Sequence, residues 1–266
     1  MTLSQNTSSP VTISDKIVSA VLDNGIRIFI LPSQRSASVS VQAWIKTGSI
    51  HEEEFLGCGL SHFLEHMVFT GTKSYPGSSE ICERVTQLGG NLNACTGSSY
   101  TMYYINVPSA AFKEAAAMVT EMVTEPLFPE DCFQREKNVI LRECSMYNDS
   151  AANVLYHKFL DCSCKAHPVR FPVIGFEEKI KTVNRDMMYN YFKKRYTPGR
   201  MVFVVAGDVD CNEVIDFIRN KTAHIPMGNL LDPVLPAEPK QNSKRRIDFT
   251  FNDPTAAFIT GWKVPG

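Results

Sequence analysis

The sequence predicts an α+β fold in which a mostly antiparallel sheet is combined with several helices. Asn24-Gly25 separates two short stretches rich in Ile and Val, a pattern typical of a β-hairpin closed by an Asn-Gly turn. Residues 38–47 begin with alternating apolar and polar side chains, as in a strand with one buried face. Several segments after residue 57 carry apolar residues at helical spacing instead. The chain is therefore expected to open as an antiparallel sheet and to continue with helices.

Each element follows from its local pattern. The strands are predicted at 17–22, 26–31, 38–47, 91–97, 100–107 and 200–207. The helices are predicted near 57–69, 79–88, 110–124, 130–148, 151–160, 176–182, 185–195 and 212–221. Ser78 is expected to cap the second helix, and Gly89-Gly90 to end it. Pro126 and Pro129 separate the third helix from the fourth, because proline breaks the helical hydrogen-bond pattern.

Length and proline content predict the domain organisation. A chain of 266 residues corresponds to about 1.8 typical domains, which leaves room for one domain and part of another. The densest prolines of the chain are Pro226, Pro233, Pro236 and Pro239. We therefore predict a catalytic domain over 1–224, a proline-rich linker over 225–242, and the incomplete start of a second domain over 243–266, with strands between 245 and 262.

Composition excludes several classes of protein. Lys and Arg total 27 against 28 Asp and Glu, and this balance argues against a nucleic-acid-binding protein. No apolar run reaches the roughly 18 residues of a membrane span. The 8 cysteines are irregularly spaced, as reduced thiols of an intracellular protein would be. Because residues 1–15 lack the basic and apolar regions of a secretory signal, a cytoplasmic location is expected.

The most specific motif is the run His62-Phe63-Leu64-Glu65-His66. Residues i, i+3 and i+4 of a helix share a face, so His62, Glu65 and His66 are expected to point the same way. Two imidazoles one turn apart can bind one Zn²⁺, and the order H-x-x-E-H is the signature of inverzincins. The simpler alternative is a pair of ordinary half-buried histidines on a helix.

A catalytic zinc site needs a third protein ligand, and a carboxylate is a common partner of two histidines. The predicted helix 130–148 offers two candidates, Glu136 and Glu143, which lie seven residues apart and hence on nearly the same face. Either could be the ligand, and the spacing does not choose between them. Both could instead be solvated carboxylates on a helix surface.

Longer segments around these residues follow one another in a recognisable order. They are HFLEHMVFTGT, GGNLNACT, REKNVILRE, HPVRFPVIG at 167–175 and YTPGRMVFVVAGDVD at 196–210. In this order they closely resemble the pitrilysin/insulinase family of zinc peptidases, including its processing-peptidase branch, over about residues 17–222. The resemblance implies a sheet covered by helices on one side, as in processing-peptidase-like metallohydrolases.

The resemblance also implies a set of site residues. The third zinc ligand of the family is a glutamate about 77 residues past the second histidine, and Glu143 lies 77 residues past His66. Glu136 matches another family glutamate, which supports the site. Asn93, Ala94 and Cys95 match the edge strand with which the family pairs an extended substrate, a mode known as β-augmentation.

These residues predict a zinc-dependent endopeptidase that binds one zinc ion per chain. A zinc ion held by His62, His66 and Glu143 lowers the pKa of a bound water toward about 7. Glu65 is placed to accept the proton of that water as general base and to return it to the leaving amine. Peptides or unfolded protein segments are the expected substrates.

The resemblance further implies a partner, because family enzymes generally enclose their substrate between two homologous halves. We therefore expect a second half, supplied by a homodimer or a heterodimer, and poor activity of the chain alone. One alternative is a non-catalytic subunit or scaffold of the same fold, for which a degraded zinc motif would be expected. Another is a metal-free helical interaction protein.

Other polar groups have simpler interpretations. The histidines outside the motif are His51, His157, His167 and His224, and structural or exposed roles are expected for them. Glu52-Glu53-Glu54 is predicted to form a solvated loop before the motif helix. Lys244-Arg245-Arg246 is too short for a nucleic-acid-binding patch and is expected to flank an edge strand.

Overall fold

A six-stranded mixed sheet forms the centre of the fold. The computed structural model describes residues 16–77 and 79–264, so the expectations for residues 1–15 and for the Ser78 cap lie outside the described residues. The strands are β1 (Val18–Val21), β2 (Arg27–Pro32), β3 (Ser38–Ile45), β4 (Asn91–Thr96), β5 (Thr101–Pro108) and β6 (Met201–Gly207). The helices are α1 (Leu60–Val68), α2 (Glu80–Gln87), α3 (Phe112–Thr124), α4 (Glu130–Asn148), α5 (Ala151–Ser163), α6 (Glu177–Ile180), α7 (Arg185–Arg195) and α8 (Cys211–Thr222).

The strand order is β1-β2-β6-β3-β5-β4. Among the described strands, only the β2–β6 pair is parallel, and the other four pairs are antiparallel. The first two strands form the hairpin that Asn24-Gly25 predicts, with Gly25 at φ 87°. Strand β4 is an edge strand, because it pairs with β5 alone among the described strands.

One face of the sheet is buried under helices. In β3, the side chains of Val39, Val41, Ala43 and Ile45 are buried, whereas those between them are partly exposed. Helix α3 packs on β3 and β5, α1 on β4 and β5, and α8 on β2. The predicted α+β fold, with a mostly antiparallel sheet covered on one side, is confirmed.

The first helix begins three residues later than predicted because of a glycine. Gly59, at the N-cap of α1, adopts φ 63°, a left-handed conformation that L side chains rarely adopt. A Cβ atom at this position would lie 2.2 Å from the carbonyl oxygen of Ile174. Gly59 therefore allows the loop around Gly175 to pack directly against the start of α1.

Helices α1 and α4 are locked together by aromatic stacking. The rings of Phe63 in α1 and Phe133 in α4 stack with centroids 4.8 Å apart, and both side chains are fully buried. Such pairs contribute about 0.5–1.5 kcal/mol beyond the burial of their area. This contact fixes the separation between α1, which carries the motif residues, and α4, which carries the candidate glutamates.

The segment after α8 contains no helix or strand up to residue 264. Strands were predicted between 245 and 262, and this prediction is wrong for the described chain. Backbone hydrogen bonds of a strand need a neighbouring strand, and residues 245–262 pair with none of the six described strands. Consequently Lys244-Arg245-Arg246 does not flank an edge strand: Arg245 donates to the carbonyl oxygens of Cys162 and Ser163 at the end of α5, and Arg246 pairs with Asp248.

The first part of this segment is nevertheless fixed to the domain. Asp232 accepts hydrogen bonds from two buried guanidinium groups, those of Arg195 in α7 and Arg200 just before β6. Arg200 also donates to the carbonyl oxygen of Leu231 at 2.7 Å. Further along, Glu238 accepts from three successive backbone N–H groups, at residues 165–167. Among the described residues, no helix is long and apolar enough to cross a membrane.

Candidate metal centre

Helix α1 divides its side chains between the core and the site. Leu60, Phe63, Leu64 and Met67 are fully buried. His62, Glu65 and His66 share the opposite face and remain partly exposed. The imidazole rings of the two histidines meet edge to face, with centroids 4.8 Å apart. This is the shared face expected from the i, i+3, i+4 spacing.

The N-terminus of α1 is capped by a distant carboxylate. Gly59 has no side chain to cap the helix, but the backbone N–H of Ser61 donates to Glu52 Oε1 at 2.8 Å. Glu52 is only 1% exposed, so its prediction as part of a solvated loop is wrong. The carboxylate satisfies an N–H group that lacks a partner within the helix and complements the positive end of the helix dipole. It thus stabilises the turn on which His62 lies.

We expect Glu52→Gln to change the pH dependence of stability. Burial raises the pKa of Glu52 to about 7, above the value of about 4.3 in an unfolded chain. Between these two values the folded state binds more protons than the unfolded state, so the free energy of unfolding falls as pH rises. In the wild type this carboxyl should lower the free energy of unfolding by on the order of 3 kcal/mol between about pH 5 and pH 8. Gln cannot ionise, so this decrease should be absent from the variant.

Urea unfolding of both proteins at the two pH values measures this difference. The matched control is Glu54→Gln, at the exposed glutamate two residues away, which should keep the pH dependence of the wild type. Equal pH dependence in the wild type and Glu52→Gln would contradict a buried, proton-binding carboxyl at this position.

Helix α4 brings both candidate glutamates to the histidines, on different sides of one ring. Glu143 Oε1 lies 3.7 Å from His62 Nε2, and Glu143 Oε2 lies 3.5 Å from His66 Nε2. Glu136 Oε2 instead lies 3.5 Å from Nδ1 of His66. One ligand atom from each of His62, His66 and Glu143 falls within 4.8 Å of the others, the one such group of acidic, His or Cys residues in the described part of the chain. Glu136 therefore contacts the other ring nitrogen of His66, Nδ1.

The two imidazoles have opposite electrostatic environments. Burial, and secondarily the neighbouring His66, lower the pKa of His62 to about 3, so this ring is neutral. Its Nδ1 is buried without a hydrogen-bond partner among the described residues. Burial also acts to lower the pKa of His66, but contact with Glu136 and attraction to the other carboxylates outweigh it and raise that pKa. The contact with His66 correspondingly lowers the pKa of Glu136.

The side chain of Glu65 lies between α1 and the edge strand. Burial raises the pKa of its carboxyl, although a hydrogen bond from Thr96 opposes the shift. Thr96 Oγ1 donates this bond to Glu65 Oε2 at 2.5 Å. The period-2 pattern of β4 indicates that Thr96 points inward, but the sequence does not predict its contact with Glu65.

The predicted substrate residues lie on edge strand β4. Asn93 and Cys95 are exposed, and Ala94 between them is partly buried. Asn93 lines a cavity of about 260 Å³ beside the cluster, whose other lining residues are Glu65, His66, Phe69, Thr70 and Glu136. A larger cavity of about 600 Å³ lies between the start of α5 and residues 253–259 and includes no residue of the cluster. An extended segment along β4 would therefore pass the cluster.

The remaining histidines lie outside the cluster. His51 is buried and accepts a hydrogen bond from the backbone N–H of Gly48, and His167 accepts one from Val169. His157 packs edge to face on Phe176, and the exposed His224 contacts Glu125.

Comparison with known proteins relates this site to a family. A model described as "Insulinase (Peptidase family M16)" matches residues 28–175, and a second, described as "Peptidase M16 inactive domain", matches residues 182–266. The latter match begins just before α7 and includes β6, which lies inside the same sheet as β1–β5.

Relatives and solved structures agree with these matches. The "Uncharacterized zinc protease YmxG" of Bacillus subtilis is 35% identical over 193 residues, which are 73% of this chain and 47% of that protein. A protease from Helicobacter pylori superposes with a TM-score of 0.77 at 27% identity, over 86% of this chain and 56% of that one. The first half of the periplasmic protease PqqL from Escherichia coli gives 0.75 at 26% identity, over 85% and 50%.

The chain thus spans about half the length of the relatives it matches. The resemblance to the insulinase family is confirmed, and the relatives of the chain include proteins named zinc proteases. Because the first family model covers more than half of the 266 residues, the chain belongs to the insulinase family of peptidases, family M16.

Proposed function

We propose that this chain is the zinc-binding half of an endopeptidase that hydrolyses peptides or unfolded protein segments. The observation that carries the proposal is the group formed by His62, His66 and Glu143, together with the partly buried Glu65 on the same face of α1 as the two histidines. Membership of a peptidase family and relatives named zinc proteases support it.

The donor set fits a zinc ion. Two imidazole nitrogens and one carboxylate are a common protein ligand set of catalytic zinc. His62 is neutral, as a metal ligand must be, and its Nε2 is directed toward Glu143. The contact between Glu136 and Nδ1 of His66 is the kind of carboxylate–histidine pair that orients a metal-binding ring, and it leaves Nε2 of His66 toward Glu143. We assign one zinc per chain to these three residues.

The chain's own groups would perform the proton transfers. A bound zinc would supply Lewis-acid activation of a water molecule and of the scissile carbonyl. Glu65, one helical turn from His62 and adjacent to His66, would accept the proton of the attacking water and return it to the leaving amine. Its partial burial favours this role, because burial raises the pKa of its carboxyl and so makes the carboxylate a stronger proton acceptor.

Substrate would be held along edge strand β4. The unpaired side of β4 can form main-chain hydrogen bonds with an extended peptide, and Asn93, Ala94 and Cys95 would line it. Such pairing gives affinity with little dependence on side chains. We therefore expect selection by extended conformation rather than by one required sequence.

A second half is part of the proposal. The chain spans about half of its relatives, and one structural neighbour is itself described as the first half of a protease. Large apolar side chains after the linker are exposed, including Phe258 at 85% and Trp262 at 82%. Exposed apolar side chains this frequent along one segment are typical of a region covered by a partner. A homologous half, from the same protein or another subunit, would cover it and enclose the substrate.

The decisive experiment measures zinc content and cleavage of a fluorogenic extended peptide, first for this chain alone and then with the second half. We expect about one zinc per chain in both states, and turnover only in the assembled protein, with native mass spectrometry reporting the assembly. Robust turnover by the isolated monomer would overturn the need for a second half. A chain that binds no zinc would refute the metal site, and zinc without cleavage in the assembly would favour a non-catalytic subunit.

A further inference from the structure

We infer that Thr96 is a positioning residue that fixes the carboxylate of Glu65, and that it ties this carboxylate to the edge strand proposed to receive substrate. The inference rests on the proposed function but adds a residue and a coupling to it. The hydrogen bond between Thr96 and Glu65 can also be tested without an activity assay.

The contact joins two elements that are distant in the sequence. Thr96 is the last residue of β4, and Glu65 lies in the middle of α1. The side chains of Leu92, Ala94 and Thr96 alternate with exposed ones and face the helix layer. Thr96 Oγ1 donates to Glu65 Oε2 at 2.5 Å, and among the described residues it is the hydrogen-bond donor to this carboxylate.

The backbone around Thr96 holds its hydroxyl in place. Thr96 pairs with Thr101 of β5, and the N–H of Gly97 donates to the carbonyl oxygen of Tyr100, which closes the turn between the strands. The N–H of Ser49 in turn donates to the carbonyl oxygen of Gly97. Thr is β-branched, so its χ1 angle is restricted. The hydroxyl therefore cannot follow Glu65 if that side chain rotates.

A single hydroxyl donor has a defined effect on a carboxylate. The last torsion of a Glu side chain is broad, so an unheld carboxylate samples many orientations. A hydroxyl has one hydrogen to donate, and Thr96 gives it to Oε2. Oε1 is thereby left as the oxygen available to accept a proton. General-base catalysis needs this oxygen within about 2.6–3.2 Å of its target, so orientation matters directly.

The same bond couples the base to the substrate strand. Asn93, Ala94 and Cys95 immediately precede Thr96 in β4. A peptide paired with these residues and the carboxylate of Glu65 would thus be positioned by one strand. Displacement of β4 would therefore disturb the peptide and the carboxylate together.

The test compares Thr96→Val, which removes the hydroxyl at nearly constant shape, with Thr96→Ser, which keeps it. In the assembled, zinc-loaded protein we expect Thr96→Val to lower kcat about 10- to 100-fold at unchanged KM and zinc content, and Thr96→Ser to restore kcat. The matched control is Thr101→Val, which removes a hydroxyl bound to the carbonyl oxygen of Thr47 and should keep kcat. Unchanged kcat in Thr96→Val, or equal losses in the Val and Ser variants, would overturn the inference.

A double-mutant cycle on urea unfolding provides the readout that needs no activity. We expect Thr96→Val to destabilise the chain when Glu65 is present and to have less effect in a Glu65→Ala background, because the hydrogen bond then has no acceptor. Additive effects would overturn the inference even if the protein proves to be a peptidase. Non-additive effects in a protein that never cleaves peptides would instead uphold the contact and refute the proposed function.

Discussion

Glu65→Gln is expected to lower the kcat of peptide cleavage by about 10²- to 10⁴-fold, the usual contribution of a general base. Gln cannot accept the proton of the attacking water, but its side chain has nearly the same size and still accepts a hydrogen bond from Thr96. The fold and the group formed by His62, His66 and Glu143 should therefore persist. Steady-state kinetics of the assembled protein, with zinc content measured on the same samples, checks this expectation.

The matched control for this variant is Glu54→Gln, at an exposed glutamate outside the site, which should retain wild-type kinetics. Both variants remove one negative charge, so a shared loss would reveal a general electrostatic effect. Cleavage retained by Glu65→Gln at normal zinc content would exclude Glu65 as the base.

Glu143→Gln and Glu136→Gln are expected to weaken zinc binding unequally. Glu143 lies against Nε2 of both histidines, so its replacement should remove a direct ligand. Of the nitrogens of the two histidines, Glu136 contacts only Nδ1 of His66, and loss of such an orienting partner typically costs about 10- to 100-fold in metal affinity. We therefore expect the Glu143 variant to lose more affinity than the Glu136 variant, and to lose cleavage with it.

Competition with a chelator, followed by a zinc-sensitive dye, measures the two affinities directly. The two variants control for each other because each removes one carboxylate from α4, seven residues from the other. A larger loss of affinity in Glu136→Gln would reverse the assignment and make Glu136 the ligand. Equal, small losses would argue that neither glutamate binds the metal.

Sequence patterns predicted the elements of this fold because their causes are local. The hairpin at Asn24-Gly25 follows from turn chemistry, and α4 from apolar spacing between Pro129 and residue 148. The side chains of α1 likewise divide between core and site as their spacing requires. Boundaries deviated where tertiary packing intervened, as at Gly59, whose backbone lies against residue 174.

The choice between Glu136 and Glu143 could not be made from spacing, because both lie on one stripe of α4. What distinguishes them is the placement of His66, whose two ring nitrogens face different glutamates. Tertiary placement of this kind is not encoded in helical periodicity. The resemblance to the family implies Glu143 as the third ligand. Its position against Nε2 of both histidines gives that proposal a physical basis, which metal titration can test.

Burial of Glu52 and the absence of strands between residues 245 and 264 share one cause. A run of three glutamates predicts a solvated loop, yet Glu52 is buried because the N-terminus of α1 needs an acceptor and Gly59 provides none. Residues 245–262 have a strand-like composition but find no strand to pair with. In both cases the local sequence does not decide the structure. Glu52 is buried because it has a hydrogen-bond partner in α1, and residues 245–262 form no strand because they pair with none.

The position of β6 has a consequence for how the chain folds. Residues 201–207 lie between β2 and β3, and without them the sheet would separate into β1–β2 on one side and β3–β5–β4 on the other. During synthesis, the facing edges of β2 and β3 therefore stay open until most of the domain has left the ribosome. Contacts this distant in sequence form slowly, and open strand edges invite aggregation. A piece ending at residue 175, where the first family match stops, would keep these edges permanently unpaired.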